Sequence, residues 1–240
     1  MKKIREIFQY RTMIASLIQR ELRGKYKGSV LGFAWTFINP LLQLLVYTVV
    51  FSVIMRAGIE DYYLFLFVAL IPWMFFSDSL VSGSTCIMAQ QEMVKKIYFP
   101  REVLPIALVT SRLVTMALSL LVVFAVLLVS GKGLNLLVMP YLIPVALVEY
   151  LLALGIAFIA SSVTVYFRDL GYILSIVSMA WQFLTPVMYS IDMVPEELRS
   201  IFMANPMTSV IIAYRDILYY KQAPQMQTLL LATAFGVGLL

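Results

Sequence analysis

Apolar residues along this chain gather into six long runs separated by charged or turn-rich breaks. The runs are Phe33–Met55, Tyr62–Val81, Leu104–Val129, Tyr141–Phe167, Tyr172–Tyr189 and Met226–Leu240. The hydrocarbon layer of a bilayer is about 30 Å thick, and a helix needs roughly 20 apolar residues to cross it. Each run is near that length, the last falling short. The pattern predicts an all-α polytopic membrane protein with six transmembrane helices, forming a single domain over residues 1–240.

Three segments do not fit simple crossings or loops. Residues 1–28 are too charged to span, yet Ile4, Ile7, Phe8, Ile14, Leu17 and Ile18 recur near helical spacing with Arg and Lys between them. That arrangement predicts an amphipathic helix in the headgroup layer; a solvated basic tail is the alternative. In the insert at 83–103, Ile87, Val94, Ile97 and Tyr98 predict one apolar helical face. Gln90, Gln91, Glu92, Lys95 and Lys96 fall on the others, and Pro100 stops the helix. Such a helix either seats in a groove on a soluble partner or rests on lipid.

The segment 186–222 holds short apolar pieces interrupted by Pro195 and by Asn205-Pro206. Pro195 followed by Glu196 and Glu197 reads as a helix start, because proline suits the first turn and acids favour that end. Pro206 lacks an amide hydrogen and pushes Asn205 out of helical geometry, so one helix should end there. Two short re-entrant helices in the outer leaflet are the expectation, with a plain extracellular loop as the alternative.

Charge orients these elements. Lys2, Lys3, Arg5, Arg11, Arg20, Arg23, Lys25 and Lys27 precede the first run; Lys95, Lys96, Arg101 and Arg112 follow the second, and Arg168 follows the fourth. The opposite breaks carry only Arg56, Lys132, Arg199, Arg215 and Lys221. Lys and Arg favour cytoplasmic loops, so the amino terminus is expected inside. A pI near 9.3 alone would also suit nucleic acid, but the cations follow membrane side rather than one stripe, which argues against that partner. A mean hydropathy of +0.91 leaves too little polar surface for a soluble fold of this size.

Candidate chemistry is sparse. Histidine is absent and Cys86 is the only cysteine, which removes the raw material of His/Cys metal sites and of Ser-His-Asp or Cys-His catalysis. Gly131-Lys132-Gly133 does not complete a phosphate-binding loop. Glu149 is expected near the outer interface, too far from mid-membrane to couple ions. Phe33, Trp35, Phe37, Tyr47, Trp181 and Phe183 lie within the first and fifth runs, where aromatic faces would line a conduit or pack on lipid. A rival reading is an integral-membrane transferase acting on lipid-linked sugars. It would use the outer acids Asp192, Glu196, Glu197 and Asp216, interleaved with Arg199 and Arg215, to hold a metal and diphosphate.

Several motifs then stand in a recognisable order: Arg20-Glu21-Leu22-Arg23-Gly24-Lys25-Tyr26-Lys27-Gly28-Ser29, Leu31-Gly32-Phe33-Ala34-Trp35, Lys96-Ile97-Tyr98-Phe99-Pro100-Arg101-Glu102 and Tyr166-Phe167-Arg168-Asp169-Leu170. Thr185-Pro186-Val187-Met188-Tyr189 and Asn205-Pro206-Met207-Thr208 bracket the last of the three unusual segments. Together they resemble the permease subunit of type-2 ABC exporters for polysaccharides and polyol phosphates, the machines of O-antigen (lipopolysaccharide), capsule and teichoic-acid export. The resemblance implies a homodimer in the bacterial cytoplasmic (inner) membrane, with two separate ABC subunits that carry the ATP and Mg; this chain itself would hold no cofactor. It implies an interface helix at 1–28 and a coupling helix in the 83–103 insert. It also implies gate helices over 186–222, which include Pro186, Tyr189, Pro195, Glu196, Asn205, Pro206 and Arg215. The cargo implied is an undecaprenyl-diphosphate-linked polymer passing along the dimer interface. The sixth run ends at Leu240, where the resemblance implies a short cytoplasmic tail.

Overall fold

The computed structural model describes residues 2–24, 28–54 and 58–239. The motif residues Lys25, Tyr26 and Lys27, the outer cation Arg56 and the terminal Leu240 lie outside the described residues, as do the side chains of Lys2, Lys3 and Ile4. All regular structure among the described residues is helical. Helices α1 (Lys2–Gln9) and α2 (Arg11–Gly24) replace the one amphipathic helix expected at the amino terminus. A 3₁₀ turn at Gly32–Ala34 leads into α3 (Trp35–Thr48), which continues as a π-helical stretch over Val49–Ile54. Then follow α4 (Tyr62–Ala89), α5 (Gln91–Lys96), α6 (Val103–Val129) and α7 (Leu142–Tyr166). The chain closes with α8 (Leu170–Leu184), α9 (Glu196–Ala204), α10 (Pro206–Arg215), a π-helical turn at Asp216–Tyr220 and α11 (Met226–Gly238).

Among the described residues, four helical stretches are long and apolar enough to cross a membrane: Gly32–Ile54, Tyr62–Ala89, Val103–Val129 and Met139–Tyr166. The fifth and sixth runs give shorter helices. At 1.5 Å per residue, the 15 residues of α8 extend only about 22 Å. The cause is local: Thr185 turns to an extended conformation ahead of Pro186, which cannot donate to a helix, so the rest of the fifth run leaves helical geometry.

Helix α4 is apolar all round and forms the centre of the bundle, packed by α3, α6, α7, α8 and α10. Leu66, Val68, Ala69 and Leu70 are fully buried. The helix overruns the expected end at Val81 by eight residues. Ser82-Gly83-Ser84 looks like a break in sequence but is a close crossing in space: a Cβ on Gly83 would lie 2.9 Å from the Ala157 Cβ of α7. Small residues let helix backbones approach in this way. Gly155 plays the same part where α7 meets α11.

The loops sort to two ends. At one, Lys132 pairs with Asp61 at 3.0 Å and Glu60 at 3.3 Å, Asn135 donates to the Lys221 carbonyl at 3.1 Å, and the Lys221 ammonium donates to the Lys132 carbonyl. At the other lie α1, α2, α5 and the turn at 167–169. There Leu17 of α2 is buried with Cys86, Ile87, Phe99, Val103 and Leu104 in a second, smaller core. The apolar face of α2 thus lies against protein, not only against headgroups.

Candidate conduit and gate

The wall of a cavity along α3 starts from a spacing rule. Side chains three or four residues apart share a helix face. On α3, Thr36, Asn39, Gln43 and Tyr47 follow that spacing and line a cavity of 460 Å³, with Trp35 at one end. Helix α6 contributes Arg112, Thr115 and Ser119, again one face; α4 contributes Trp73, Ser77 and Asp78, and α8 adds Gln182. From Trp35 to Tyr47 the groove follows α3 for about 18 Å.

Among the described residues, the only charges on this wall are Arg112 and Asp78, and they face each other. Arg112 Nε lies 3.1 Å from Asp78 Oδ2, an ion pair rather than an aligned hydrogen bond. Ser82 donates to the other Asp78 oxygen at 2.7 Å. On its far side Arg112 is 3.9 Å from Glu21 of α2, where it also borders a smaller cavity of 190 Å³ beneath that helix. Arg112 therefore separates the conduit-like groove from the amino-terminal helix.

Of the aromatics singled out in the sequence, Trp35 and Tyr47 line the groove. Phe33 and Phe37 instead form an edge-to-face pair at 5.5 Å. Trp181 meets Phe76 edge-on at 5.2 Å and donates to Asn205, while Phe183 is exposed outside the groove. The polar residues Asn39, Gln43, Thr115, Ser119 and Gln182 were missed by attention to aromatics. Their spacing of three and four inside apolar runs was the legible signal.

Residues 185–190 form an irregular hairpin that is largely buried, and its carbonyls need partners that lipid does not supply. Arg215 supplies three of them. Its guanidinium donates to the carbonyls of Pro186 at 2.5 Å, Val187 at 2.6 Å and Tyr189 at 3.2 Å, and reaches Phe65 O at 3.4 Å. Tyr62 donates to Met188 O at 2.7 Å, and the Phe65 ring lies 3.6 Å under the guanidinium. Arg215 is 3 % exposed, a cation held inside the protein. A planar fork of five donors matches several converging carbonyls as an ammonium does not.

Asn205 holds the other side of the hairpin. Its oxygen accepts from Met207 N and Trp181 Nε1, capping α10, while its amide donates to Thr185 Oγ1 at 2.9 Å and Leu184 O at 3.3 Å. Pro195 precedes α9, whose first turn holds Glu196 and Glu197, and Pro206 opens α10. Tyr189 packs edge-on against Phe202 of α9.

The insert differs from its expected form. Ile87 belongs to α4 and is buried, whereas Ile97 and Tyr98 follow α5 in extended chain and are exposed. No single helical face unites them with Val94. Gln91, Glu92, Lys95 and Lys96 project from the six-residue α5, with Glu92 in its first turn and both lysines in its last, the signs the helix dipole favours. Gln90 is the hinge between α4 and α5, and Phe99 anchors the segment in the smaller core.

Glu149 is fully buried between helices and accepts from the Tyr214 hydroxyl at 2.9 Å. The outer acids do not converge. Asp216 pairs with Gln222 at 2.8 Å, Ser190 donates to Asp192, and no group of three His, Cys, Asp or Glu placed to hold a metal occurs among the described residues.

Residues 12–219 match the ABC-2 type transporter family. This chain belongs to that family. Among ABC-2 relatives, the O-antigen export system permease protein RfbA of Myxococcus xanthus is 37% identical over 239 residues, 99% of this chain and 92% of the relative. A Klebsiella pneumoniae protein of the same description is 31% identical over 85% of this chain and 79% of its own length. The polysialic acid transport protein KpsM of Escherichia coli is 24% identical over 85% of this chain and 80% of its own.

Proposed function

We propose that this chain is the permease subunit of an ATP-driven exporter that moves an undecaprenyl-diphosphate-linked polysaccharide across the bacterial cytoplasmic membrane. The observation that carries the reading is the 37% identity to an O-antigen export permease over 99% of this chain. Two copies form the conduit, and two separate ABC subunits bind ATP and Mg and hydrolyse the nucleotide. The amino terminus and α5 face the cytoplasm, in keeping with the cations grouped at that end. α9 and α10 form a re-entrant gate at the outer mouth. The exposed apolar faces of α3 (Leu45, Val46) and α8 (Ile176, Met179) are available to a second copy or to lipid.

In this reading α5 is the lever. Its exposed residues seat in a cleft of the ATPase, and its anchoring in the smaller core passes force to α2, α4 and α6. The lever is tested by proline. Glu92 is in the first turn, where proline is tolerated, but Val94 donates its amide to Gln90 O at 3.0 Å. Val94→Pro should abolish glycan export while leaving membrane abundance intact, and Glu92→Pro should be mild. Normal export by a well-expressed Val94→Pro variant would overturn the lever role.

A further inference from the structure

The groove along α3 carries more information than a passage would need. The side-chain amides of Asn39, Gln43 and Gln182 line it and make no hydrogen bond to another described residue. Thr36, 3 % exposed, also lines it with its Oγ1 unpartnered. Thr36 is buried, and a buried polar group without a partner costs about 1–3 kcal/mol. Asn39 is exposed and Gln43 and Gln182 are half-buried, so their amides are open to whatever fills the groove. Acyl chains in the groove would leave every one of these groups unsatisfied. A polar occupant would satisfy them.

The rings of Trp35, Tyr47 and Trp73 line the same groove. Pyranose rings present apolar C–H faces and hydroxyl edges together. Aromatic planes answer the first and amides, which donate and accept side by side, answer the second. The volume of 460 Å³ falls within the roughly 300–1,000 Å³ usual for ligand sites.

Charge narrows the ligand further. Arg112 is already opposed by Asp78 at 3.1 Å and by Glu21 at 3.9 Å, so among the described residues the wall offers an anion no uncommitted cation. Helices α3 and α8 contain no Lys or Arg at all. A polymer with a carboxylate or phosphate on each repeat would have to desolvate those charges beside Asp78. We infer that this groove is a binding subsite for an uncharged stretch of glycan, and that the exporter selects neutral over polyanionic polymers there. The inference rests on the export reading above.

The test uses two host strains lacking their own permease and ATPase, one accumulating a neutral mannose polymer and one accumulating polysialic acid. The full chain is expressed in each with its ATPase partner, and surface polymer is quantified. Mannose polymer should reach the surface and polysialic acid should not. Asn39→Ala/Gln43→Ala, which removes two amides at partly open positions, should lower mannan export about tenfold at equal membrane abundance. Gln182→Ala, on another helix, should lower it about fivefold. Equal export of both polymers would overturn the selectivity while leaving the export reading intact. Undiminished mannan export by both variants would overturn the subsite. Export of neither polymer would instead sink the export reading on which it depends.

Discussion

At the scale of single residues, Arg215 is the side chain on which the hairpin depends. It serves four carbonyls from inside the protein, so shortening it strands acceptors where no water replaces it. Arg215→Met should lower the unfolding midpoint of the detergent-solubilised protein strongly, reflecting a loss of about 3–5 kcal/mol. Arg215→Lys should recover only part of this, since an ammonium reaches fewer carbonyls. A lysine variant as stable as the parent would contradict the fork argument. Glu149 gives a complementary case. Its bond from Tyr214 needs only an acceptor oxygen, so Glu149→Gln should preserve stability. Glu149→Leu, which leaves the buried tyrosine hydroxyl unpaired, should cost about 1–3 kcal/mol. Thermal unfolding of the two variants side by side checks this.

The sequence was a partial guide to these residues. Asn205 and Pro195 were legible because capping and proline sterics act within a few positions. The burial of Arg215 was not legible, because counting charges says nothing about carbonyls brought near from residues 186–189. The partner of Glu149 was hidden for the same reason: Tyr214 lies on α10, far along the chain.

At the scale of elements, the loop strap at the α4 start has a calculable pH response. The Lys132 ammonium donates to Asp61 and then to Glu60, which holds its pKa above the ordinary 10.5. A lysine raised in the folded state contributes stability that is complete below its unfolded pKa and is lost as pH rises through the folded value. The midpoint difference between wild type and Lys132→Ala should therefore be constant from pH 7 to about 9.5 and shrink above about 10.5. The exposed position of the acids makes the effect small and salt-sensitive. A difference that vanished between pH 7 and 9 would point to another origin.

The long apolar runs were legible as helices, because their composition alone excludes water. Where α4 ends was not. Ser82-Gly83-Ser84 has the composition of a loop, and only the approach of Ala157 on a distant helix converts it into a packing seam. The same overrun shortened the insert to α5 and removed Ile87 from its expected face. The polar stripe of α3 was readable in principle, from Thr36, Asn39, Gln43 and Tyr47 at helical spacing, and its meaning emerged only with the facing residues of α4 and α6.

At the scale of the whole molecule, the groove, the Arg112 contacts and α5 lie along one mechanical line. Glu21 and Asp78 hold Arg112 from two helices, and both helices share the smaller core with the segment that follows α5. Packed contacts thus run from α5 through the smaller core to the groove wall, while α9 and α10 lie at the opposite end against the hairpin. The central claim is that this chain is a conduit that works only with an external ATPase. The direct measurement is translocation of undecaprenyl-diphosphate-linked glycan into sealed vesicles, reconstituted with this chain, the ATPase or both. The account predicts ATP-dependent uptake with the pair and none with either alone. Uptake by this chain alone, without nucleotide, would contradict it.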